Sequence, residues 1–410
     1  MRILWVKVGG LWPLNVGGRL RSFHIIAELS RRHHVSVLTT HAPGDDPREL
    51  RAELPRCERV ASFPYTAPKR DSARFGAALA RSWLSPLPVD LYKWRVPALR
   101  RGVTHLLGVH DFDLCVADFL FAVPSLPSPC PVPIVLFEHN VEHMIWKRLS
   151  RTAPPWQRAL LELEWRKVRR YEAQACTQAK LTLTVSEADR ALLAALAPGA
   201  TVRAIPTGVD RAYFTPNGVP EAHARLVFTG AMDWYPNEDA MLYFIDAILP
   251  AIRREVPETS LTIVGRNPST RLRAAAAAAR VQVTGTVDDV RPHVAAAAVY
   301  VVPLRVGGGT RLKIFEGLAM AKAVVSTTVG AEGLPLVPRS HFLRADNPAE
   351  FARTVVSLIR DPALRKALGA AGRQLVAERY SWRQVAREFE ARCEDAVTEH
   401  GEDGGSRSCA

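Results

Sequence analysis

Long hydrophobic runs are missing from this chain. No stretch of about 18 consecutive apolar residues occurs, which excludes a membrane-spanning helix and leaves peripheral membrane contact as the only kind open to it. The first residues, MRILWVKVGGLW, hold an apolar run too short and too early for a secretory leader. Cysteine is sparse. Cys57, Cys115, Cys130, Cys176, Cys393 and Cys409 form no CxxC pair and no Cys/His metal spacing, so they read as reduced thiols of a cytoplasmic protein. The acidic pairs Asp45-Asp46 and Asp288-Asp289 are not in a DxD arrangement after a strand end. They read as surface loops, and no metal site is expected. Acidic residues as a class are in deficit, 41 against 54 Lys and Arg, for a net charge of +13. That surplus favours an anionic partner (nucleic acid, a membrane surface or a phosphorylated substrate) without choosing among them.

What is present is a two-domain α/β pattern. The 410 residues exceed the ~250–300 at which a single hydrophobic core stops growing. Short, nearly continuous apolar runs fall at 3–8, 35–40, 113–118, 133–137, 181–186 and 202–206, and again at 225–230, 260–265, 281–285, 298–303 and 323–327. Helical stretches separate most of them, including 19–32, 237–255, 269–280, 288–297, 310–321 and 348–360. This is the βαβ rhythm of doubly wound parallel sheets. Turn residues concentrate in PTGVDRAYFTPNGVP, which puts the boundary near 206–220. The tail from 398 to 410 is polar and glycine-rich and reads as disordered.

The chemistry concentrates in PLRVGGGTRLKIFEGLAMAKAVVSTTVGAEGL, residues 303–334. A strand ends, three glycines follow, and a helix begins carrying Arg311 and Lys313. Helix starts bear partial positive charge and prefer acidic side chains. A bound diphosphate would turn this mismatch into attraction: Gly308 and Gly309 let the backbone approach, Thr310 caps, and the free N–H groups meet phosphate oxygens. The competing reading is a glycine loop with two solvated cations, Lys313 pairing with Glu316. Glu316, further along the same helix, could accept a ribose hydroxyl or be an ordinary surface carboxylate. Spacing alone leaves both pairs of readings open.

The same stretch resembles the nucleotide-sugar signature of family 4 glycosyltransferases with the GT-B fold. So do VQVTGTVDDVRPHVAAAAVYVVPL (281–304), AIPTGVD (204–210) and TVSEADRALL (184–193), while FTGAMDWYPNEDAMLYF (228–244) is similar to a branch of bacterial exopolysaccharide and cell-surface sugar transferases. The resemblance implies two Rossmann-like sheets facing a cleft. An acceptor-side domain would span 1–206, a nucleotide-sugar domain 207–377, and a C-terminal helix near 378–396 would cross back. It implies a retaining enzyme that takes a nucleoside-diphosphate sugar as donor and a glycan or lipid-linked acceptor, with no cofactor and no nucleic acid partner. Carried over residue by residue, Gly309, Thr310, Arg311 and Lys313 match the diphosphate loop and Glu316 the ribose-binding glutamate. Gly17 and Gly18 match the glycine turn near the donor phosphate. His139 matches the cleft histidine that contacts the transferred sugar, and Gly285, Thr286 and Val287 follow the strand that meets the nucleobase.

Two departures stand out. Gly308 occupies the position of the family's first motif glutamate, which keeps a nucleotide-sugar epimerase or an inactive sugar-nucleotide binder as alternatives. Met232, Asp233 and Trp234 stand where many relatives place an arginine and a lysine, so Arg305, Arg311 and Lys313 are expected to supply that charge. Glu138, Glu142 and His143, around His139, are candidates for proton handling or for lining the acceptor side, or else are solvated. Residues 59–101 hold nine Lys/Arg against two Asp/Glu, interleaved with six aromatics, and residues 147–170 hold eight cations against two acids. Such surfaces suit an anionic membrane or lipid-linked acceptor at the inner face of the cell membrane. They also suit single-stranded nucleic acid, or express a chain rich in arginine throughout.

Overall fold

The computed structural model describes residues 1–14, 17–68, 72–152, 154–306 and 312–405. The chain divides into two units, residues 1–206 with 382–410, and residues 207–381.

In the first unit Arg2–Lys7 (β1), His34–His41 (β2), Arg59–Pro64 (β3), Leu114–Asp118 (β4), Ile134–Phe137 (β5), Leu181–Thr184 (β6) and Val202–Ala204 (β7) form one sheet in the order β3-β2-β1-β4-β5-β6-β7. All pairings are parallel. Between the strands run Gly17–Leu29 (α1), Pro47–Glu53 (α2), Ala73–Trp83 (α3), Val89–Lys93 (α4), Pro97–Val109 (α5), Glu142–Thr152 (α6), Pro155–Gln178 (α7) and Glu187–Leu196 (α8). The central strands are apolar on both sides because helices cover both faces. Along β1, Ile3 and Trp5 enter one core while Leu4 and Val6 enter the other, as the two-residue period of a strand requires.

In the second unit Arg225–Thr229 (β8), Ser260–Val264 (β9), Gln282–Val283 (β10), Val299–Val302 (β11), Ala323–Ser326 (β12) and Leu343–Arg344 (β13) form a parallel sheet in the order β10-β9-β8-β11-β12-β13. Tyr235–Tyr243 (α9) continues through a π-helical turn into Leu249–Glu255 (α10). Thr270–Ala278 (α11), Arg291–Ala295 (α12), Leu312–Ala319 (α13), Pro348–Arg360 (α14) and Pro362–Arg379 (α15) complete it.

The last helix, Trp382–Gly405 (α16), belongs to the first unit. Val385, Phe389 and Cys393 recur every four residues and are fully buried, so one stripe of α16 faces the core. Phe389 stacks on Trp5 at 5.4 Å and Trp382 on His24 of α1 at 5.0 Å.

Three expectations need correction. Arg59–Pro64 is a strand at the edge of the sheet, where half-buried side chains replace the continuous apolar run that marks the central strands. The two-residue β13 was missed for shortness. The tail, expected to be disordered, is helical to Gly405, since a glycine costs a helix only about 1 kcal/mol and does not by itself stop it. Residues 406–410 lie outside the described residues.

Candidate functional sites

In a doubly wound sheet the crevice opens where the strand order reverses, beyond the carboxyl ends of the strands. In the second unit that point lies between β8 and β11, and in the first between β1 and β4. Each unit carries a polar cluster there.

In the second unit the loops after β8 and β9 nest closely. The Gly230 N–H donates to Val264 O at 2.9 Å, and a Cβ on Gly265 would stand 1.7 Å from Gly230 O. A Cβ on Gly230 would meet both Asn237 Nδ2 and Lys313 Nζ at 2.7 Å. The bare backbone therefore lets α9 and α13 bring Asn237 and Lys313 to the end of β8. Lys313 Nζ donates to Asn237 Oδ1 at 2.7 Å and sits 3.9 Å from the centre of the Phe228 ring. Asn237 is turned to receive it because its own amide donates to Ala231 O at 2.8 Å. Glu316, one turn further along α13, is half-buried. Burial pushes its carboxyl up to about 7 against the pull of Lys313. The phenol of Tyr300, bonded to Thr229, is raised by burial and then by Glu316.

The other residues expected around a donor are placed as follows. Gly308, Gly309, Thr310 and Arg311 lie outside the described residues. Arg305 is held by Asp239, with Nε at 3.1 Å and an NH2 contact at 2.6 Å, and lies over the Tyr243 ring at 4.3 Å. Its charge is thus already answered by a carboxylate of α9. Gly285 has φ +72 and open space around its missing Cβ, Thr286 is exposed, and Val287 packs half-buried on the core. In the loop after β8, Met232 is a core residue, while Asp233 accepts from Asn267 at 2.9 Å and faces Arg266 at 3.8 Å.

In the first unit His139 follows β5 and is 3% exposed. Arg21 NH1 of α1 lies 2.9 Å from its Nδ1, and Asp118 Oδ1 at the end of β4 lies 2.9 Å from its Nε2. A guanidinium only donates, so Nδ1 accepts and the ring proton sits on Nε2, toward Asp118. Burial holds the imidazole down at about 3, so it is neutral near pH 7. Asp118 also accepts from Trp5 Nε1 at 2.8 Å and from Lys7 Nζ at 3.0 Å, both on β1. Burial alone would raise Asp118, yet Lys7 and the bonds from its neighbours keep it well below the carboxylate range. Phe119 stacks on His139 at 4.0 Å. The bare Gly18 in α1 makes room for it, since a Cβ there would stand 3.1 Å from the Phe119 ring. Gly17 starts α1, and Arg19 ties down the preceding loop by donating to the carbonyls of Gly9 and Trp12.

The neighbours of His139 have structural duties. Glu172 of α7 accepts the Glu142 and His143 N–H groups at 2.8 and 3.1 Å and bonds His143 Nδ1 at 2.5 Å, which caps α6. Glu138 is buried and accepts the Leu120 N–H at 3.3 Å. Burial, then Glu172 and Glu142, raise it well above the usual range, and Glu142 is pushed up to about 8. Asp46 caps α2 and Asp289 pairs with Arg291. Among the described residues His33, Glu390 and Glu394 have atoms close enough for a cation, but Arg32 and His33 already bond Glu390.

Lys7, Asp118, Arg21, Asn237 and Arg266 were not singled out from the sequence. The signal for Lys7 and Asp118 is a charge closing an apolar strand in both ILWVKV and DLCVAD. Nothing local marks the other three.

Two doubly wound parallel sheets, each with a polar cluster at its switch point, define the GT-B class of glycosyltransferase architecture. Residues 17–213 match the family described as Glycosyltransferase Family 4, and residues 223–361 match Glycosyl transferases group 1. The chain belongs to the family 4 glycosyltransferases. A phosphatidyl-myo-inositol mannosyltransferase of Mycobacterium leprae is 30% identical over 175 residues, which are 41% of this chain and 46% of that protein, so the match spans less than half of that relative. An uncharacterized 44.6 kDa protein in the cps region of Klebsiella pneumoniae is 19% identical over 94% of this chain and 97% of its own. Among solved structures, Anabaena HepE in complex with UDP shares the fold, with a TM-score of 0.67 at 13% identity over 96% of this chain and all of that one.

Proposed function

We propose that this chain is a retaining glycosyltransferase moving a sugar from a nucleoside-diphosphate donor to a hydroxyl of a glycan or lipid-linked acceptor in polysaccharide or cell-surface glycan synthesis. The observation that carries the reading is the pairing on α13 of Lys313, oriented by Asn237 at 2.7 Å, with Glu316 one turn on. An ammonium at a helix start suits a diphosphate, and a carboxylate behind it suits the ribose hydroxyls. The UDP held by HepE and the cps-region relative favour the donor type and the pathway.

The second unit binds the donor in this reading and the first serves the acceptor. As the glycosidic bond breaks, charge grows on the departing phosphate. Lys313 opposes that charge, and the sequence assigns the same task to Arg311 and the glycines at 307–309, which lie outside the described residues. The acceptor hydroxyl arrives on the face the diphosphate leaves, and a phosphate oxygen takes its proton. The first glutamate of the family motif is Gly308 here, so no carboxylate stands at that position. For His139 to meet a sugar hydroxyl through its ring, Arg21 must give up Nδ1 or Asp118 must share Nε2.

A thermal-shift panel of nucleoside diphosphates and their sugars tests the reading, because a specific ligand stabilises with occupancy. One base is expected to raise the melting temperature, and Lys313→Ala is expected to abolish the rise. Product anomers followed by NMR with a lipid-linked acceptor distinguish retention from inversion. Conversion of the donor without acceptor would identify an epimerase, and silence toward UDP, GDP and ADP sugars would overturn the proposal.

A further inference from the structure

Helix α3 separates two unlike hollows within the first unit. One flank, Phe75, Leu79 and Trp83, lines a groove of about 520 Å³ whose other wall is Trp146, Leu160 and Leu161 from α6 and α7. The opposite flank, Arg74 and Arg81, lines a cavity of about 730 Å³ with Tyr65, Tyr92, Lys93 and Arg95. Arg95 also belongs to a third hollow of about 510 Å³ lined by Arg100, Arg101 and His105. Among the described residues no acidic side chain lines either of the two basic hollows.

The helix is built to hold this position. Ser72 Oγ accepts the Phe75 N–H at 3.2 Å at its start, and Lys167 donates to Ser82 O at 2.7 Å at its end. Its carboxyl end nevertheless presents apolar side chains to solvent. Trp83 is 47% exposed, Leu84 93%, and Leu160 on the facing wall 46%. Among the described residues the nearby acids have partners. Asp90 pairs with Lys93, the buried Glu164 accepts the Val89 N–H, and Glu162 lies 3.6 Å from Arg166.

We infer that this face of the first unit docks on an anionic phospholipid bilayer, with Trp83 and Leu84 entering the interface and the arginines of α3 and α5 meeting lipid phosphates. An aromatic and an aliphatic tip beside a cationic field is the chemistry of an interfacial helix. A second copy of the chain would set Arg74, Arg81, Arg95 and Arg100 against themselves. A nucleic acid would leave the aliphatic groove unfilled. The inference does not rest on the catalytic reading, because donor binding is assigned to the other unit.

Flotation of the full chain with vesicles tests it. Phosphatidylcholine with a third of phosphatidylglycerol is expected to capture the protein, phosphatidylcholine alone to capture at least tenfold less, and high salt to release it. The pairs Trp83→Ser with Leu84→Ser, and Arg74→Glu with Arg81→Glu, are each expected to weaken capture about tenfold with the melting temperature unchanged. If a pair fails to fold, the lipid and salt dependence of the unaltered chain still decides. Equal capture by both vesicle types, variants that bind like the parent, or a dimer that dissolves in the variants would overturn the inference. So would salt-sensitive RNA binding that α3 charge reversal removes while vesicle capture persists.

Discussion

Arg21 NH1 and Asp118 Oδ1 lie on opposite sides of the His139 ring, each 2.9 Å from one of its nitrogens. The ring is therefore fixed in one tautomer by two charged neighbours rather than left to titrate. Three elements, α1, β4 and the segment after β5, meet at this one imidazole.

Asp118 is the shared acceptor of that cluster. Asp118→Asn removes the charge opposite Lys7, which is 2% exposed. Breaking one side of a buried pair typically costs about 3–5 kcal/mol. Urea unfolding is expected to show a loss of that order. Replacing both Lys7 and Asp118 by apolar residues should cost less than the sum of the single changes, and additive losses would show that the pair is not coupled.

His139 makes the fold acid-sensitive. Its folded value near 3 lies below the usual 6.5, so between those pH values the unfolded chain binds a proton that the folded chain refuses. Its contribution is complete above pH 6.5 and falls as pH drops, by about a kcal/mol per unit. Glu142 acts in the opposite sense: its value near 8 against the usual 4.5 makes stability fall as pH rises through that window. His139→Asn keeps an acceptor for Arg21 and should flatten the slope of stability between pH 4 and 6, read as the difference from the parent chain.

Glu316 should make donor binding pH-dependent. Held near 7 by burial, it is ionised to roughly a tenth at pH 6 and roughly nine-tenths at pH 8. The carboxylate accepts through both oxygens with charge-assisted bonds, whereas the acid gives up one oxygen to an O–H donor. Calorimetry with an intact nucleotide sugar, whose phosphates do not titrate in this range, should show several-fold tighter binding at pH 8 than at pH 6. Glu316→Gln should be weaker at both and flat, losing about 1.5–3 kcal/mol for bonds to a charged group. A pH slope that survives in Glu316→Gln assigns it elsewhere.

Gly265→Ala tests the nesting of the two loops in the second unit. Its Cβ would fall 1.7 Å from Gly230 O, an overlap only backbone movement can relieve. Strong destabilisation of the second unit is expected in circular dichroism melts. Gly285→Ala should also strain its φ of +72 but meets open space, so its cost is expected to be near 1 kcal/mol.

The central strands were legible because burial on both faces writes itself as unbroken runs of aliphatic and aromatic residues, as in Ile3–Val6 and Val299–Val302. The edge strands β7 and β10 were still read as runs at 202–206 and 281–285, but Arg59–Pro64 was not, since it is half-wet and reads as a basic surface. Arg311 and Lys313 stood out as cations against helix-start preference, and Glu316 as the carboxylate further along the same stretch. Asn237 did not, because its meaning depends on a lysine 76 positions away. His139 was legible only by resemblance. That Glu142 and His143 are tied to Glu172 depends on α7 lying beside α6.

Local order in the chain determined the alternation of strands and helices, the parallel class of the sheets and the cation Lys313 in the first turn of α13, because periodicity and turn chemistry act between near neighbours. Tertiary structure alone decided which charges are answered. Arg305 went to Asp239, Asp233 came to face Arg266, and His139 was locked between Arg21 and Asp118. The physical reason is that pairing and desolvation depend on distance in space, and residues more than a hundred positions apart, such as Lys7 and Asp118, acquire their ionisation state only once the sheet sets β1 beside β4.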